Sequence, residues 1–156
     1  MSIQKRWGWL APVAVSVALV VSGCGGSGTS KNDYVKSLNK AQAELTKQLT
    51  AIGGGISSDP SQMSAQLEKG GQAIDGAADD FNSISPPDDA ASAHKKIVDG
   101  LHKLAGTFRD AAKSAKSNDL QAVAKVLTDV TTSEGAKELD DAQKELIANG
   151  YKFKNS

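Results

Sequence analysis

The sequence contains few residues of the kinds that form disulfides, metal sites and aromatic cores. Its 156 residues include one cysteine and two histidines, and aromatic residues make up only 4% of the chain. A single cysteine excludes an intrachain disulfide in any redox compartment. The 18 basic and 18 acidic residues balance, so no basic excess suggests a nucleic-acid partner.

The chain also lacks the local motifs of the common enzyme classes. It has no Gly-x-Ser-x-Gly elbow and no His-Glu-x-x-His helix, and the glycine run 53–55 is not followed by the lysine of a phosphate-binding loop. Acidic residues adjacent in a helix point about 100° apart and do not share a site. Three such pairs occur, at Asp79-Asp80, Asp88-Asp89 and Asp140-Asp141. We therefore predict neither an enzyme nor a resident cofactor.

The first 23 residues have the order of an export signal. Lys5 and Arg6 make the start positive, residues 7–21 are mainly apolar, and the small residues Ser22 and Gly23 follow. A positive segment, an apolar segment and small residues are typical of a secretory signal peptide. An uncleaved membrane anchor is the alternative, but the apolar run is shorter than the roughly 20 residues that a spanning helix needs.

Residues 21–24 resemble the lipobox of bacterial lipoproteins, which is an aliphatic residue, a small residue, Gly or Ala, and then Cys. Val21, Ser22, Gly23 and Cys24 match all four positions, and Cys24 is the only cysteine. The resemblance implies cleavage before Cys24 and attachment of diacylglycerol to its sulfur, often with a further acyl chain on the new amino group. Because two or more chains anchor a protein stably, we expect Cys24 to hold it on the extracytoplasmic face of a cell membrane.

Three parts of the chain follow from this boundary. Residues 1–23 are the predicted signal peptide, residues 24–31 the lipidated cysteine and its tether, and residues 32–156 a helical domain. The tether is rich in Gly and Ser, so it should act as a flexible coil with a reach of roughly 15 Å. Without Lys5 and Arg6, the mature chain keeps 16 basic and 18 acidic residues and carries a net charge of −2.

Apolar residues beyond the tether recur at intervals of three and four, which is the period of an amphipathic helix. Strong start and stop signals interrupt them: Asp59-Pro60, Pro86-Pro87, Asn118-Asp119 and Asn149-Gly150. We predict an all-α fold, an antiparallel four-helix bundle whose last helix is interrupted near Thr131. The predicted core stripes include Tyr34, Leu38, Leu45, Leu67, Ile74, Phe81, Ile97, Leu101, Phe108, Leu120, Val123, Leu127, Leu139, Ala142 and Leu146.

The two histidines are weak metal candidates. His94 and His102 are eight residues apart, which separates them by about 80° around a helix and by about two turns along it. They therefore need a ligand from another helix, such as Asp75, Asp79 or Asp80, and we predict no metal site. Envelope four-helix cytochromes resemble this architecture, but the chain has no Cys-x-x-Cys-His sequence.

Five glycines fall inside predicted helices, where each costs roughly 1 kcal/mol relative to alanine. They are Gly70, Gly71, Gly76, Gly100 and Gly106. One interpretation is close approach of two helices. The other is a groove between the second and third helices that admits a ligand or a peptide.

Two functional classes are consistent with these features. The first is a non-enzymatic interaction or scaffold protein of the cell envelope, concentrated near a protein partner by its lipid anchor. The second is a carrier or sensor that binds an apolar ligand or an ion within the bundle. The layout resembles that of many small helical lipoproteins, and this likeness of architecture implies no activity.

Overall fold

A computed structural model describes residues 29–52 and 57–153, and these residues form an all-helical fold. The five α-helices in this part of the chain are α1 (Lys31–Ile52), α2 (Pro60–Asn82), α3 (Ala91–Lys116), α4 (Leu120–Asp129) and α5 (Glu134–Ala148). Two 3₁₀ turns lie at Asp88–Ala90 and Val130–Thr132. The all-α prediction is confirmed. The signal peptide, the lipobox and the first residues of the tether lie outside the described residues.

Side-chain caps set three of the helix starts. A carboxylate oxygen of Asp59 accepts from the Gln62 amide at 2.9 Å, and Pro60 occupies the first turn of α2. Asp119 and Ser133 cap α4 and α5 in the same way. Because such caps use residues within three positions of each other, they can be recognised in the sequence.

α1 begins at Lys31, one residue before the predicted start of the helical domain at Asn32. Ser30 caps the helix: its hydroxyl accepts from the Asp33 amide at 3.1 Å and donates to the Asp33 carboxylate at 2.7 Å. The helical domain therefore includes two residues that were assigned to the tether.

α3 is the central helix, and both α2 and α5 pack along it. In each pair, early residues of one helix contact late residues of the other: Ser64 bonds to Ala112 and Asp75 to His102, and Lys96 contacts Glu145. α1 packs against α2, and the core cluster includes Tyr34, Leu38, Ile74, Phe81, Ile97, Leu101, Ala142 and Leu146. The antiparallel order of the complete bundle stays a prediction.

Two shorter helices, α4 and α5, take the place of the predicted fourth helix of the bundle. The division falls at the 3₁₀ turn Val130–Thr132 and at Ser133, whose backbone is extended. This is the interruption predicted near Thr131. The two helices cover different parts of the core: α5 completes the main cluster, while Val123 of α4 packs in a second cluster with Leu67, Ala111, Ala112 and Ala115.

Leu120 was predicted to be a core residue, and this prediction is wrong, because the side chain is 44% exposed. Leu120 is the first residue of α4 and follows the turn that ends α3. The alanine-rich side of α3 is covered only from Val123 onward. The apolar stripe of α4 therefore begins at Leu120, one turn before the part of α4 that packs on α3.

Three of the five glycines lie at close helix approaches, as the packing interpretation requires. A Cβ atom on Gly70 would lie 3.0 Å from the Phe108 ring, and one on Gly71 would lie 3.2 Å from the Ala105 carbonyl oxygen. A Cβ atom on Gly100 would lie 2.9 Å from the carbonyl oxygen of Gly135. Around Gly76 and Gly106, nothing lies within 4 Å of this position, so close approach does not explain them.

Candidate functional site

The most connected group of polar side chains lies where α1 begins and the described chain ends. It joins three segments that are distant in sequence: the first turn of α1, the start of α3 with the 3₁₀ turn before it, and the segment after α5. We call it the terminal cluster. Its members are Lys31, Tyr34, Asp89, His94, Asn149 and Tyr151.

The buried half of the terminal cluster is a tyrosine–histidine pair. The Tyr34 hydroxyl and His94 Nδ1 are 2.9 Å apart, and the two residues are 0% and 7% exposed. Burial lowers the pKa of His94 and raises that of Tyr34, because a low-dielectric surrounding disfavours both charged forms. The pair is therefore neutral at neutral pH, and each group supplies the hydrogen bond that the other needs.

The exposed half of the cluster is centred on Asp89. Its carboxylate accepts from the Tyr151 hydroxyl at 2.5 Å and pairs with Lys31 Nζ at 2.5 Å. The hydrogen bond from Lys31 and then that from Tyr151 lower the pKa of Asp89, while burial and the Asp89 carboxylate raise the pKa of Tyr151. Lys31 also donates to the Asn149 carbonyl at 2.7 Å, and the Asn149 amide donates to the Asp89 carbonyl at 2.6 Å.

The two halves meet at the rings. Tyr151 packs edge-on against Tyr34 with ring centroids 5.7 Å apart, and Lys31 Nζ lies 4.8 Å from the centre of the Tyr151 ring. The hydroxyl and carboxylate groups of the cluster thus form their hydrogen bonds and ion pair within the cluster. Chemically, this arrangement fastens the start of α1 to the end of α5, and it presents no activated nucleophile.

His102 lies in a separate polar group on the surface. Its Nδ1 atom is 3.0 Å from the Asp75 carboxylate, which also pairs with Arg109. The hydrogen bond from His102 is the largest cause of a lowered Asp75 pKa, with a further contribution from Arg109.

The structure does not join the two histidines in one site. His94 is paired with Tyr34 and His102 with Asp75, and the other proposed ligands, Asp79 and Asp80, are exposed. Within residues 29–52 and 57–153, no three His, Cys, Asp or Glu side chains form a group that could hold a metal ion. Asp75, one of the three aspartates considered as an additional metal ligand, instead contacts His102 and Arg109.

Sequence analysis missed the terminal cluster, having assigned Tyr34 to a core stripe and considered Asp89 only as part of an acidic pair. One available signal was that buried tyrosines almost always require a hydrogen-bond partner. Nothing local in the sequence identifies that partner, because Tyr34 and His94 are 60 positions apart and Tyr151 and Asp89 are 62 apart.

An apolar cleft lies within the bundle between α1, α2, α3 and α5. Its volume is about 10 Å³, which is room for about one water molecule. The residues that fill the surrounding space are Leu38, Phe81, Ile97, Leu139, Leu146 and Phe153.

A partly uncovered apolar stripe runs along α4 and into the turn after it. Leu120 is exposed, and Val126, Leu127 and Val130 are half-buried, whereas Val123 is 3% exposed. We call Leu120, Val126, Leu127 and Val130 the α4 surface; Val126 and Leu127 also pack in part against the second cluster. Leu120 lies at the end of the bundle remote from the terminal cluster, and the other three residues follow α4 back along the side of the bundle.

Comparison with known proteins assigns the chain to no family. No family model, no curated protein and no solved structure matches it. Among the helices described here, none is long and apolar enough to cross a membrane.

Proposed function

We propose that this chain is a lipoprotein, held through acylated Cys24 on the extracytoplasmic face of a cell membrane, with a non-enzymatic interaction or scaffold role. The observation that carries the proposal is the tetrad Val21-Ser22-Gly23-Cys24 at the end of an export signal, where it contains the only cysteine. Thioether acylation gives this otherwise unpaired thiol a role, and two acyl chains suffice for stable membrane attachment.

The start of the fold is consistent with this anchor. α1 begins at Lys31, seven residues after Cys24. Even fully extended, seven residues span at most about 25 Å. A protein acylated at Cys24 would therefore keep the beginning of α1 close to the lipid headgroups.

An interaction role has more support than a carrier role. A cavity for a small-molecule ligand usually has a volume of about 300 to 1,000 Å³, whereas the apolar cleft leaves about 10 Å³. A hollow of about 450 Å³ between α2 and α3 is large enough, but it is open to solvent and lined by polar side chains such as Ser64, Glu68 and Lys113, so it does not suit an apolar ligand. The α4 surface, in contrast, presents an exposed Leu120 beside half-buried apolar side chains. We propose that it binds a protein of the same membrane, because anchoring both proteins raises their effective concentration.

Metabolic labelling with a clickable fatty acid tests the anchor. The wild-type protein should incorporate the label, and Cys24→Ser should not. The matched control is Cys24→Ser combined with Ser27→Cys, which restores a thiol three residues outside the lipobox and should stay unlabelled. An unlabelled wild-type protein, or equal labelling of Cys24→Ser, would overturn the proposal.

Site-specific photo-crosslinking in intact cells tests the interaction role. A photoreactive residue at Leu120 should give a discrete adduct with a membrane protein, and Cys24→Ser should reduce its yield. The control is the same photoreactive residue at Lys47, an exposed position on α1. Adducts of equal yield at both positions, or none at Leu120, would contradict binding through the α4 surface.

A further inference from the structure

Two large apolar side chains are conspicuously exposed in the described part of the chain, and they lie at opposite ends of the bundle. Ile147 is 47% exposed and Leu120 is 44% exposed. Ile147 belongs to the last turn of α5, and Leu120 is the first residue of α4. Single exposed apolar residues are common on protein surfaces, so their positions relative to the tether decide whether they have a role.

Ile147 lies at the tether end of the domain. It is two residues before Asn149, whose carbonyl accepts from Lys31 Nζ at 2.7 Å. Lys31 is the first residue of α1 and adjoins the segment that leads to Cys24. The same hydrogen bond that closes the terminal cluster therefore brings the last turn of α5 next to the tether.

Leu120 lies at the remote end. α3 runs from Ala91, beside the terminal cluster, to Lys116, just before Leu120. Its 26 residues correspond to a length of about 39 Å at 1.5 Å per residue. With the tether end on the bilayer and the bundle axis perpendicular to it, Leu120 would therefore lie well beyond the roughly 15 Å reach of the tether from the membrane, whereas a bundle lying flat would bring Leu120 to the bilayer as well.

We propose that the tether end is a second membrane contact, in which Ile147 enters the interface of an anionic bilayer and the bundle stands upright with Leu120 at the end away from the membrane. This proposal rests on the lipid anchor proposed above. Apolar side chains of a peripheral protein are buried about 5 to 10 Å into the boundary between headgroups and acyl chains.

The charges around this end permit the contact. Lys31 and Asp89 neutralise each other, as do Lys36 and Asp33. The other exposed charges include Lys152, two residues after Gly150, and Asp88 of the 3₁₀ turn. These two have opposite signs and together add no net charge, and Lys152 can pair with a lipid phosphate.

Tryptophan fluorescence tests the proposal directly, because the mature chain should contain no tryptophan: Trp7 and Trp9 both lie in the predicted signal peptide. Ile147→Trp and Leu120→Trp each introduce a single reporter of the same kind at an exposed apolar position. The acylated proteins are reconstituted in phosphatidylethanolamine–phosphatidylglycerol vesicles, with or without bromine on the acyl chains. Brominated chains quench only a tryptophan that reaches the acyl boundary.

The expected result is loss of fluorescence and a blue shift for Ile147→Trp, with neither change for Leu120→Trp. Ala91→Trp, at an exposed position at the start of α3, is a second reporter at the tether end and should also be quenched, and unfolding curves check that each variant is folded. If the proteins float with the vesicles but both tether-end reporters keep their fluorescence, the contact is wrong while the anchor stands. Quenching of Leu120→Trp to the same extent would overturn the upright orientation, and failure to float would overturn the anchor together with this proposal.

Discussion

Gly100 of α3 and Gly135 of α5 lie against each other where the two helices cross. A Cβ atom on Gly135 would lie 2.6 Å from the Gly100 carbonyl oxygen and 3.0 Å from the Leu104 amide nitrogen. Both neighbouring atoms belong to the backbone of α3, so neither can move away without shifting the helix. The crossing therefore requires glycine on the α5 side.

Gly135→Ala should lower the free energy of unfolding by about 1 to 3 kcal/mol, the usual cost of overpacking. Urea unfolding measures the change. The matched control is Gly106→Ala in α3, where nothing lies within 4 Å of the added Cβ atom. This control should raise stability by about 0.5 to 1 kcal/mol through helix propensity. Equal effects of the two substitutions would contradict the close crossing.

Gly70→Ala combined with Gly71→Ala should also destabilise the protein, by about 1 to 3 kcal/mol. The added atoms would meet the Phe108 ring at 3.0 Å and the Ala105 carbonyl oxygen at 3.2 Å. Gly76→Ala on the same helix has open space and should be stabilising. An increase in thermal stability of the double variant would favour the groove interpretation over the packing interpretation.

Tyr34→Phe should cost about 1 to 3 kcal/mol, because it leaves a buried polar atom, His94 Nδ1, without its hydrogen bond. The matched control is Tyr151→Phe. Its hydroxyl bonds to Asp89, whose side chain is 45% exposed, so water can replace the lost donor and the cost should be smaller. Denaturant midpoints at neutral pH compare the two variants, and a larger loss for Tyr151→Phe would show that the buried pair is not the stronger one.

The stability of the protein should fall when the pH is lowered through the ordinary histidine pKa of 6.5. Burial lowers the pKa of His94 in the folded state, so the unfolded chain binds the proton first and acidification favours unfolding. The contribution is present above pH 6.5 and is lost below it. The lowered pKa values of Asp75 and Asp89 act below about pH 4, where unfolded carboxylates titrate.

His94→Gln should flatten the stability profile between about pH 7.5 and about pH 5.5. Thermal unfolding across this range measures the effect. His102→Gln retains His94 and should therefore retain the loss of stability on acidification. A profile that is unchanged by His94→Gln would mean that the buried histidine does not cause the pH dependence.

The sequence predicted the helices well because their signals are local. Asp59, Asp119 and Ser133 bond to amides three residues away, and such pairs recur in recognisable order at helix starts. Although a Gln three residues after an N-cap predicts a capping box with Asp59, the same local rule does not extend to the Gln62 side chain. Its side-chain oxygen instead accepts from the Ser57 hydroxyl at 3.2 Å, because the chain before the helix turns back toward it.

The polar cluster and the glycine crossings could not be predicted in this way. The period of a helix shows which side is apolar, but not which partner lies opposite a given residue. Gly100 and Gly106 look alike in the sequence, and only one of them meets the backbone of another helix. Leu120 continues the apolar stripe, yet it is exposed because α3 has already ended.

The amino-acid sequence alone determined that the chain is helical and where most of its helices begin and end, because helical period and capping act over a few residues. It is also the sole basis for proposing an anchor at Cys24. The tertiary structure decided that Lys31 meets Asn149, 118 positions away, and that His94 meets Tyr34 rather than His102. Such pairings depend on the angle and the register at which two helices cross. Neither can be predicted from a short stretch of the chain.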